Sequence, residues 1–296
     1  MDKGDFSERL MLVAGATGYL GRHVVTALHR NGFKVRALAR DPEKLGDAKN
    51  LCDDVFVAKA TENTTLDGLC DGVDVVFSSI GLRSFAPRPS FWEVDYQANM
   101  NILLRATSAS VRHFIFISAL NADLIRGQVA AADARERVVD ALVGSGLTWT
   151  VLRPTGFFND MEELFKMARR GTFYVIGDGT ALINPIHGAD VADQVVRCIR
   201  DHRIQNQAIG IGGPDVFTTR QIGELAFEAL GRPPKIRSIP PWLLGGVSLV
   251  LSPFNPNAAT LLRAMQVLSD MDMTGTPCGR HRLRDFFFEL AASQPS

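Results

Sequence analysis

The feature that most constrains this chain is a glycine-rich loop between an apolar run and an amphipathic stretch. Residues 10–14 form an apolar run of strand length, and the sequence Gly15-Ala-Thr-Gly-Tyr-Leu-Gly21 follows directly. In a strand–loop–helix unit, Gly15 permits a tight turn, Gly18 lets backbone approach a pyrophosphate, and Gly21 lets the helix pack on the strand. The spacing is one residue wider than the plain G-x-G-x-x-G fingerprint. The loop therefore predicts a dinucleotide-binding turn.

The first half of the chain alternates between strand-length apolar runs and helix-like stretches. The apolar runs are 10–14, 34–38, 55–58, 73–80, 114–118 and 148–152. The helix-like stretches are 21–31, 42–49, 65–71, 91–108 and 130–145. Such alternation is typical of crossover units that build a parallel sheet. We therefore expect an α/β fold, with a Rossmann-type doubly wound parallel sheet and a small C-terminal α+β substrate region.

The alternation of strand-length and helix-like stretches ends after Arg153-Pro154, and we expect one region on each side of this point. Residues 9–155 are predicted to form an NAD(P)-binding Rossmann domain. Residues 156–296 are predicted to form mainly a substrate-binding region, with segments that can return to the sheet. In this region we expect helices at 159–170, 189–200 and 283–292, a strand pair at 172–176 and 181–186, and a loop-rich section at 233–241.

Composition excludes several classes of protein. Lys plus Arg and Asp plus Glu both number 32, so no net positive charge favours nucleic acid as a partner. The four cysteines lie far apart without a C-x-x-C pair, so we expect no metal site. Residues 1–9 do not resemble a targeting segment, and no apolar run is long enough to span a membrane. A cytoplasmic protein with a small-molecule substrate is expected, and a homodimer is left open.

The end of the second predicted strand indicates the type of dinucleotide. NAD enzymes usually place an acid there for the ribose diol, whereas NADP enzymes use an arginine. Here the strand ends at Arg40, Lys44 follows one helical turn later, and Asp41 is expected to cap a helix. An arginine can bind a 2′-phosphate with two hydrogen bonds. Arg40 and Lys44 therefore predict that NADP(H) is preferred over NAD(H).

Several blocks of the sequence together resemble one known superfamily. They are the glycine loop and residues 35–44, 72–77, 94–99, 145–158 and 184–192. The resemblance is to the atypical short-chain dehydrogenase/reductase (SDR) superfamily, most closely to its NmrA-like and NAD(P)H-binding branches. It covers roughly residues 9–290. It implies the fold and the cofactor but not the reaction, because this superfamily holds reductases, epimerases, dehydratases and redox sensors.

The resemblance also implies which positions contact the cofactor. The pyrophosphate would lie against the glycine loop, the 2′-phosphate against Arg40, and the adenine between Ala60 and Thr61. The nicotinamide and its ribose would lie along the ends of the fourth and sixth strands. The implied positions are Gly15, Thr17, Gly18, Tyr19, Leu20, Gly21, Arg40, Lys44, Ala60, Thr61, Ser79, Ile80, Gly81, Ser118, Arg135, Pro154 and Thr155.

The chain departs from the superfamily at its proton donor. Catalytic SDR enzymes usually carry a Tyr with a Lys four residues later, but none of the three tyrosines of this chain is followed by such a Lys. Alignment on Ser145-Gly-Leu147 places Ala131 at the Tyr position and Arg135 at the Lys position. A positioned general acid contributes roughly 10²–10⁴ in rate. An ordinary ketone reductase is therefore disfavoured.

Three readings of the activity remain open. The first is reduction of a quinone, an enone or another activated acceptor that solvent can protonate. The second uses a displaced proton donor, with Ser118, Asp133, Asp123 and Tyr96 as candidates and Arg135 as an anion or ribose contact. The third is a non-catalytic NADP(H)-binding redox sensor or assembly factor, with a non-redox lyase or isomerase as a further alternative. We predict an NADPH-dependent oxidoreductase with Ser118, Arg135 and Asp133 as catalytic candidates.

The substrate side is expected to be apolar. Phe157, Phe158 and Met161 leave the sixth predicted strand at the cofactor edge, and Arg83 follows the fourth. These four residues are the predicted substrate contacts, because aromatic and Met side chains suit a flat, apolar acceptor. Segment 242–251 is a second apolar run that could form a lid, a membrane-surface contact or a dimer patch. No lysine cluster flanks it, so we expect a packed lid or core segment.

Overall fold

The computed structural model describes residues 9–293, and its centre is a parallel sheet of eight strands. The order across the sheet is β12-β9-β6-β5-β4-β1-β2-β3. The strands of this sheet are β1 (Leu10–Ala14), β2 (Lys34–Ala39), β3 (Asp54–Val57), β4 (Val73–Ser78), β5 (His113–Ile117), β6 (Thr148–Pro154), β9 (Gln207–Gly212) and β12 (Thr276–Pro277). Two further pairs of strands lie outside this sheet. The parallel pair is β7 (Phe173–Ile176) with β11 (Ile236–Ile239), and the antiparallel pair is β8 (Leu182–Ile183) with β10 (Phe217–Thr218).

Helices cover both faces of the sheet. The α-helices are α1 (Tyr19–Arg30), α2 (Ala98–Ser108), α3 (Ala130–Val143), α4 (Phe158–Arg169), α5 (Gly188–Arg200), α6 (Thr219–Ala229), α7 (Pro241–Leu251), α8 (Pro256–Leu268) and α9 (Leu283–Ser293). Short 3₁₀ segments lie at Pro42–Leu51, Asn63–Leu66 and His202–Ile204, and a π-helical turn at Trp92–Gln97 leads into α2. The predicted helix at 65–71 is absent, because residues 63–66 form one 3₁₀ turn instead.

The apolar strands explain the two-sided packing. Residues of β5 are buried along its full length, as expected for a parallel strand covered on both faces. One core joins α1 and α5 to the sheet through Val24, Val25, Val191 and Val195. A second core on the other face joins α2 and α3 to the sheet. The fold class predicted from the sequence is confirmed, with strand order reversing at β1 and β4.

The C-terminal region has a separate core and differs from the prediction in its strand pairing. Phe158, Phe165, Phe173, Phe227 and Phe287 fill a cluster between α4, α6 and α9. The predicted pairing of 172–176 with 181–186 is wrong. Segment 173–176 pairs in parallel with 236–239, inside the section predicted as loop, and 182–183 pairs with 217–218. The β9 strand lies beside β6 in the main sheet, and the division into two domains at residue 155 stays a prediction.

The apolar segment 242–251 also differs from the prediction. It forms α7, a helix that packs on α8 but leaves Trp242 and Leu249 largely exposed, so a packed core segment is wrong. Across residues 9–293, no helix is both long and apolar enough to cross a bilayer. Residues 1–8, on which most of the expected absence of a targeting segment depends, lie outside the described residues.

Candidate functional site

A cleft of about 320 Å³ opens at the carboxyl ends of β1, β2 and β4, beside the point where the strand order reverses. Ligands of open α/β sheets bind at such a point, because the crossovers diverge there. The cleft is lined by Gly15, Thr17, Gly18, Leu38, Ala39, Arg40, Ala58, Ala60, Thr61, Ser79, Ile80, Gly81, Leu82, Pro89, Val94 and Ala98. Nine of the predicted cofactor positions are therefore brought together in one wall.

The glycine loop has the geometry of a phosphate-binding turn. Gly15 has φ +87°, and a Cβ there would lie 2.9 Å from the hydroxyl oxygen of Ser79 on the neighbouring strand end. A Cβ on Gly21 would collide with the carbonyl of Gly15, so the helix can approach the loop only with glycine at this position. Leu20 is buried in the core below the loop and does not line the cleft.

The first turn of α1 is open to an anion. Its N-cap is Gly18, which offers no side-chain cap, and no acidic residue occupies the first turn. The backbone N–H groups at this end are therefore available to donate hydrogen bonds to a pyrophosphate. The partial positive charge of the helix N-terminus also favours an anion there. These features fit a dinucleotide phosphate in the place predicted from the sequence.

A cationic corner lies where β2 ends. Arg40 is exposed at the cleft wall immediately after β2, and Asp41 caps the next turn by accepting from the Glu43 amide at 3.1 Å, as predicted. Arg22 reaches this turn from α1, donating to the Lys44 carbonyl at 2.8 Å. The side chain of Lys44 lies outside the lining of the cleft. Arg40 is therefore the cation that the cleft wall presents to a phosphate, with Arg22 behind it holding the turn.

Two buried asparagine side chains of α2 fix two of the loops that line the cleft. Asn101 on α2 donates to the Ala60 carbonyl at 2.9 Å, which fixes the loop after β3. Asn99 accepts from the Ser78 hydroxyl at 2.6 Å and donates to the Ile80 carbonyl at 3.1 Å. The loop that carries Ile80 is therefore held from below by α2.

A buried ion pair lies behind the cleft wall at Gly81. Arg135 on α3 pairs with Asp95 at 2.8 Å and donates to the Ile117 carbonyl at 2.9 Å. Asp95 is fully buried and also accepts from the Leu82 amide at 2.8 Å. Burial raises the pKa of Asp95, although the Arg135 charge opposes that shift. A Cβ on Gly81 would collide with the guanidinium, so Arg135 lies directly behind the cleft wall.

The other predicted catalytic side chains have partners of their own. The Ser118 hydroxyl donates to Glu136 at 2.6 Å, and the same carboxylate binds Arg153 through two bonds of 3.0 and 2.6 Å. Asp133 accepts from the Gly127 amide at 2.8 Å and lies half-buried in the first turn of α3. Neither residue lines the cleft, so their catalytic roles stay predictions.

Two further predicted cofactor contacts lie at the end of β6, outside the cleft lining. The Thr155 hydroxyl donates to the Asn184 carbonyl at 2.6 Å, and the Pro154 carbonyl accepts from the Leu120 amide at 3.0 Å. The first bond ties the end of β6 to the C-terminal region, and the second ties it to the loop after β5. Contact of either residue with the nicotinamide stays a prediction.

The predicted substrate contacts divide into two groups. Arg83, on the loop after β4, forms an ion pair with Asp160 of α4, so this loop is tied to the start of α4. Phe157 lies edge-on to Tyr19, with ring centroids 6.1 Å apart. By contrast, Phe158 and Met161 are buried in the C-terminal core at 1% and 6% exposure. None of the four predicted residues lines the cleft, and substrate contact by all of them stays a prediction.

The Tyr19 ring lies in a cluster of aromatic side chains with His23, His187 and Phe157. Its hydroxyl accepts from the Gly188 amide at 3.0 Å, and burial raises its pKa. His187 caps α5 through the Ala189 amide and stacks on His281 at 4.3 Å. Burial, with the neighbouring His281, lowers the pKa of His187 to about 4, so this ring is neutral at pH 7. The cluster therefore packs α5 against α1.

Sequence reasoning did not single out Asp95, Asn99 and Asn101 as site residues. The signal was present in the helical pattern, because Asp95 and Asn99 share a face with Ile102 and Ala106, which are buried. A polar residue on a buried helix face needs a partner. Here the partners are the loop carbonyls and the guanidinium that shape the cleft.

Comparison with known proteins agrees with this geometry. A family model described as NAD(P)H-binding matches residues 15–202. Divinyl chlorophyllide a 8-vinyl-reductase of Arabidopsis thaliana is 32% identical over 250 residues, covering 78% of this chain and 60% of that protein. The chain thus spans about 60% of the length of this relative. A photosystem II assembly factor of Trieres chinensis is 22% identical, covering 82% of this chain and 76% of its own.

A solved structure shares the fold over most of both chains. The NADPH complex of an NADPH-dependent quinone oxidoreductase from Escherichia coli has a TM-score of 0.76 and 19% identity, covering 95% of this chain and 99% of that one. At this identity the likeness shows the shared fold alone.

Proposed function

The chain belongs to the NAD(P)H-binding family, and on that premise we propose that it is an NADPH-dependent reductase of a conjugated, largely apolar acceptor. Membership confirms the predicted resemblance to NAD(P)H-binding SDR proteins, while the NmrA-like branch and the cytoplasmic location stay predictions. The observation that carries the proposal is the cleft itself. It joins an uncapped helix N-terminus, an arginine corner and an apolar end in one continuous wall.

The preference for NADPH rests on Arg40. Its side chain follows β2 directly, where a ribose 2′-phosphate would lie, and Arg22 approaches the same turn. The acid of this turn, Asp41, is already engaged in capping. A carboxylate available for the ribose diol, as NAD enzymes use, is therefore not the dominant group at this corner.

The class of acceptor follows from whether Ser118 and Arg135 can donate a proton to the product. When bound, the nicotinamide supplies a hydride. The Ser118 hydroxyl donates to Glu136, and Arg135 keeps its proton because a guanidinium does not deprotonate in proteins. A proton for the product would therefore come from water. This suits a quinone, an enone or a vinyl group on a conjugated ring, where the added electron pair is delocalised before protonation.

The chain contributes binding, orientation and exclusion of water. Asn99 and Asn101 fix the two loops that would flank the cofactor, and Asp95 holds Arg135 behind Gly81. Leu82, Pro89 and Val94 give the reacting end an apolar surface. Such preorganisation accelerates a hydride transfer without a dedicated acid, because the reactants are held close and in line.

The names of the relatives support this class of acceptor. The plant relative is named for reduction of a vinyl group on divinyl chlorophyllide, and the structural neighbour is named for quinones. Both substrates are conjugated and flat. The Trieres chinensis relative is named as an assembly factor, which favours NADP(H) binding without turnover as a second candidate.

The proposal is tested first by calorimetric titration with NADPH, NADP⁺ and NADH. We expect NADPH to bind more tightly than NADH, and Arg40→Gln to weaken NADPH binding roughly 10–100-fold while leaving NADH unchanged, since a charge-assisted contact is worth about 1.5–3 kcal/mol. Arg126→Gln is the matched control, because Arg126 is a surface cation paired with Asp140 on α3. Equal binding of NADPH and NADH, or an equal loss in both variants, would contradict the Arg40 assignment.

Turnover is measured next, by anaerobic NADPH oxidation with a benzoquinone, a cyclic enone and a simple ketone. We expect oxidation with the first two and little with the ketone, because the ketone needs a positioned acid. Tight NADPH binding with no oxidation by any acceptor would reject the reductase and favour the non-catalytic candidate.

A further inference from the structure

Helix α7 presents an unusual apolar surface to solvent. Trp242, Leu249 and Val250 are 71%, 77% and 69% exposed, and Phe254, just after the helix, is 80% exposed. Leu243 and Val247 on the same helix are also exposed. Single exposed apolar side chains are common, but a contiguous set of large ones marks an interaction site. We name these six side chains the α7 ridge.

The ridge is held outward by a well-packed inner side. Leu244 and Ser248 are the buried residues of α7, and the Ser248 hydroxyl donates to the Ala259 carbonyl of α8 at 2.8 Å. Helix α8 in turn packs through Ala264, Val267 and Leu268 on the cluster before α3. Because α7 already has a buried face against α8, rotation of the helix cannot bury the ridge.

Cationic side chains outnumber acidic ones around the ridge. Between Glu228 and Asp270 the sequence contains no acid but contains Arg232, Lys235, Arg237 and Arg263. Lys235 and Arg237 are exposed and directly precede α7. Asp270, which follows α8 in the sequence, lies beside the start of α7, because its carboxylate and the Pro241 ring are each 3.7 Å from the same Cβ position on Gly177. Although the flank lacks a lysine cluster, the four cations outnumber this acid, so the border of the ridge is cationic overall and complements an anionic surface.

We propose that the α7 ridge docks the protein onto an anionic lipid bilayer, with α7 lying at the interface. An 11-residue helix is about 16 Å long, far shorter than the ~30 Å hydrocarbon core, so it would lie on the membrane. Aromatic side chains at both ends of the ridge, Trp242 and Phe254, suit the boundary between headgroups and acyl chains.

A bilayer fits the ridge better than a second copy of the chain. A single short helix offers much less than the ~800 Å² per partner of a standard protein interface. The ridge also carries only apolar side chains, so it has no side-chain hydrogen-bond donors apart from the Trp242 ring nitrogen to pair with a protein partner. Insertion among lipid chains requires neither a matching shape nor matching polar groups.

The ridge is connected to the mouth of the cofactor cleft. At the start of α8, Asn255 donates to the Phe85 carbonyl at 2.7 Å, and Asn257 donates to the carbonyls of Ala86 and Pro89 at 2.7 and 2.8 Å. Pro89 lines the cleft, and the Phe85 side chain is 61% exposed. Docking would therefore bring the cleft mouth near the bilayer. This last step rests on the proposed function, and it predicts an acceptor that partitions into lipid.

The direct test is vesicle flotation of the full chain without cofactor. We expect binding to phosphatidylcholine vesicles containing one third phosphatidylglycerol and at least roughly tenfold weaker binding to pure phosphatidylcholine, since each cation near the surface contributes about 1 kcal/mol. The double variant Leu249→Ser, Val250→Ser should lose about tenfold or more, because it removes two inserted apolar side chains.

The matched control is Leu104→Ser, since Leu104 is an exposed apolar side chain, 54% accessible, on α2. It should bind vesicles as the unchanged chain does. Absence of binding to both vesicles, or equal losses in the control and the double variant, would overturn the proposal. Sedimentation that depends on protein concentration and is abolished by the double variant, without vesicle binding, would assign the ridge to a second copy.

A spectroscopic readout reports the ridge itself. In a chain carrying Trp92→Phe and Trp149→Phe, the remaining Trp242 should emit at shorter wavelength when the anionic vesicles are added. Unchanged emission would overturn insertion of the ridge. These readouts require no turnover, so failure of the reductase proposal leaves them intact, and failure of docking leaves calorimetric NADPH binding intact.

Discussion

The cofactor cleft and the helix pair α7–α8 place polar and apolar side chains in opposite ways. Behind the cleft, charged groups are buried in pairs, with Asp95 against Arg135 and Glu136 against Arg153. On the helix pair, large apolar side chains are exposed, and Leu249 is 77% accessible. Both arrangements cost stability relative to an apolar interior and a polar surface.

The buried ion pairs and the exposed apolar side chains therefore contribute to different properties of the protein. Each buried pair also makes hydrogen bonds to neighbouring groups, so its contribution is to hold loops and helix ends at defined positions. Asp95 Oδ1 faces Arg135 as an ion pair at 2.8 Å and has no hydrogen-bond partner of its own. The ridge makes no such network, and its side chains gain little from folding. Disrupting a buried pair should therefore affect stability strongly, whereas polar substitution on the ridge should not.

The largest expected effect on stability comes from breaking the buried ion pair between Arg153 of β6 and Glu136 of α3. Glu136→Ala leaves the Arg153 guanidinium buried without its bidentate carboxylate, with two longer contacts of 3.4 Å, to Asp123 and to the Ala119 carbonyl. We expect the free energy of unfolding to fall by about 3–5 kcal/mol, because an unpaired buried charge is poorly solvated. Urea unfolding followed by circular dichroism measures this loss.

The control for this substitution is Asp140→Ala on the same helix. Asp140 pairs with Arg126 at 2.5 Å, but both side chains are substantially exposed. Surface pairs contribute about 0–1 kcal/mol, so the control should unfold almost as the unchanged chain does. Similar losses in the two variants would contradict the distinction between buried and surface pairs.

The cleft was largely predictable because its determinants are local. The glycine loop, the flanking β1 strand and Arg40 are adjacent in sequence, and their geometry follows from backbone sterics and strand direction. The seven-residue loop lies where the sequence placed it, at the end of β1. Parallel strands were also predictable, since their continuous apolar runs require cover on both faces.

The buried partners and the exposed ridge were not predictable in the same way. Arg135 was placed near the cofactor by its position in α3, but its partner Asp95 lies in a distant segment, and one sequence does not reveal that pairing. The apolar run of α7 has the same composition whether it is packed or exposed. Only the tertiary arrangement, with α8 covering a single face, separates these outcomes.

A second, smaller effect is expected from acid. His113, at the start of β5, is 4% exposed and lies 2.9 Å from the Thr150 hydroxyl, and burial lowers its pKa to about 4. The unfolded value is about 6.5, so the unfolded chain binds more protons between these two pH values. Stability from this group is therefore complete above pH 6.5 and is lost as the pH falls towards 4.

Between pH 7 and pH 5, this histidine should account for about 2 kcal/mol of the decrease in unfolding free energy. The measurement is urea unfolding at both pH values for the unchanged chain and for His113→Asn, which keeps a donor near Thr150. The variant should lose that part of the pH dependence, whatever its absolute stability. An identical slope in the two proteins would assign the acid sensitivity to other groups, of which His187 is the next candidate.

The smallest expected effect on stability comes from substitution on the α7 ridge. Leu249→Ser on the ridge should change the free energy of unfolding by no more than about 0.5 kcal/mol, because the side chain is already exposed in the folded state. Leu244→Ser, on the buried face of the same helix, should cost about 2 kcal/mol or more, since a packed side chain is lost and a hydroxyl is buried. If Leu249→Ser destabilised the protein as much as Leu244→Ser, the ridge would be part of the core in solution, and the contrast between a polar interior and an apolar exterior would not hold.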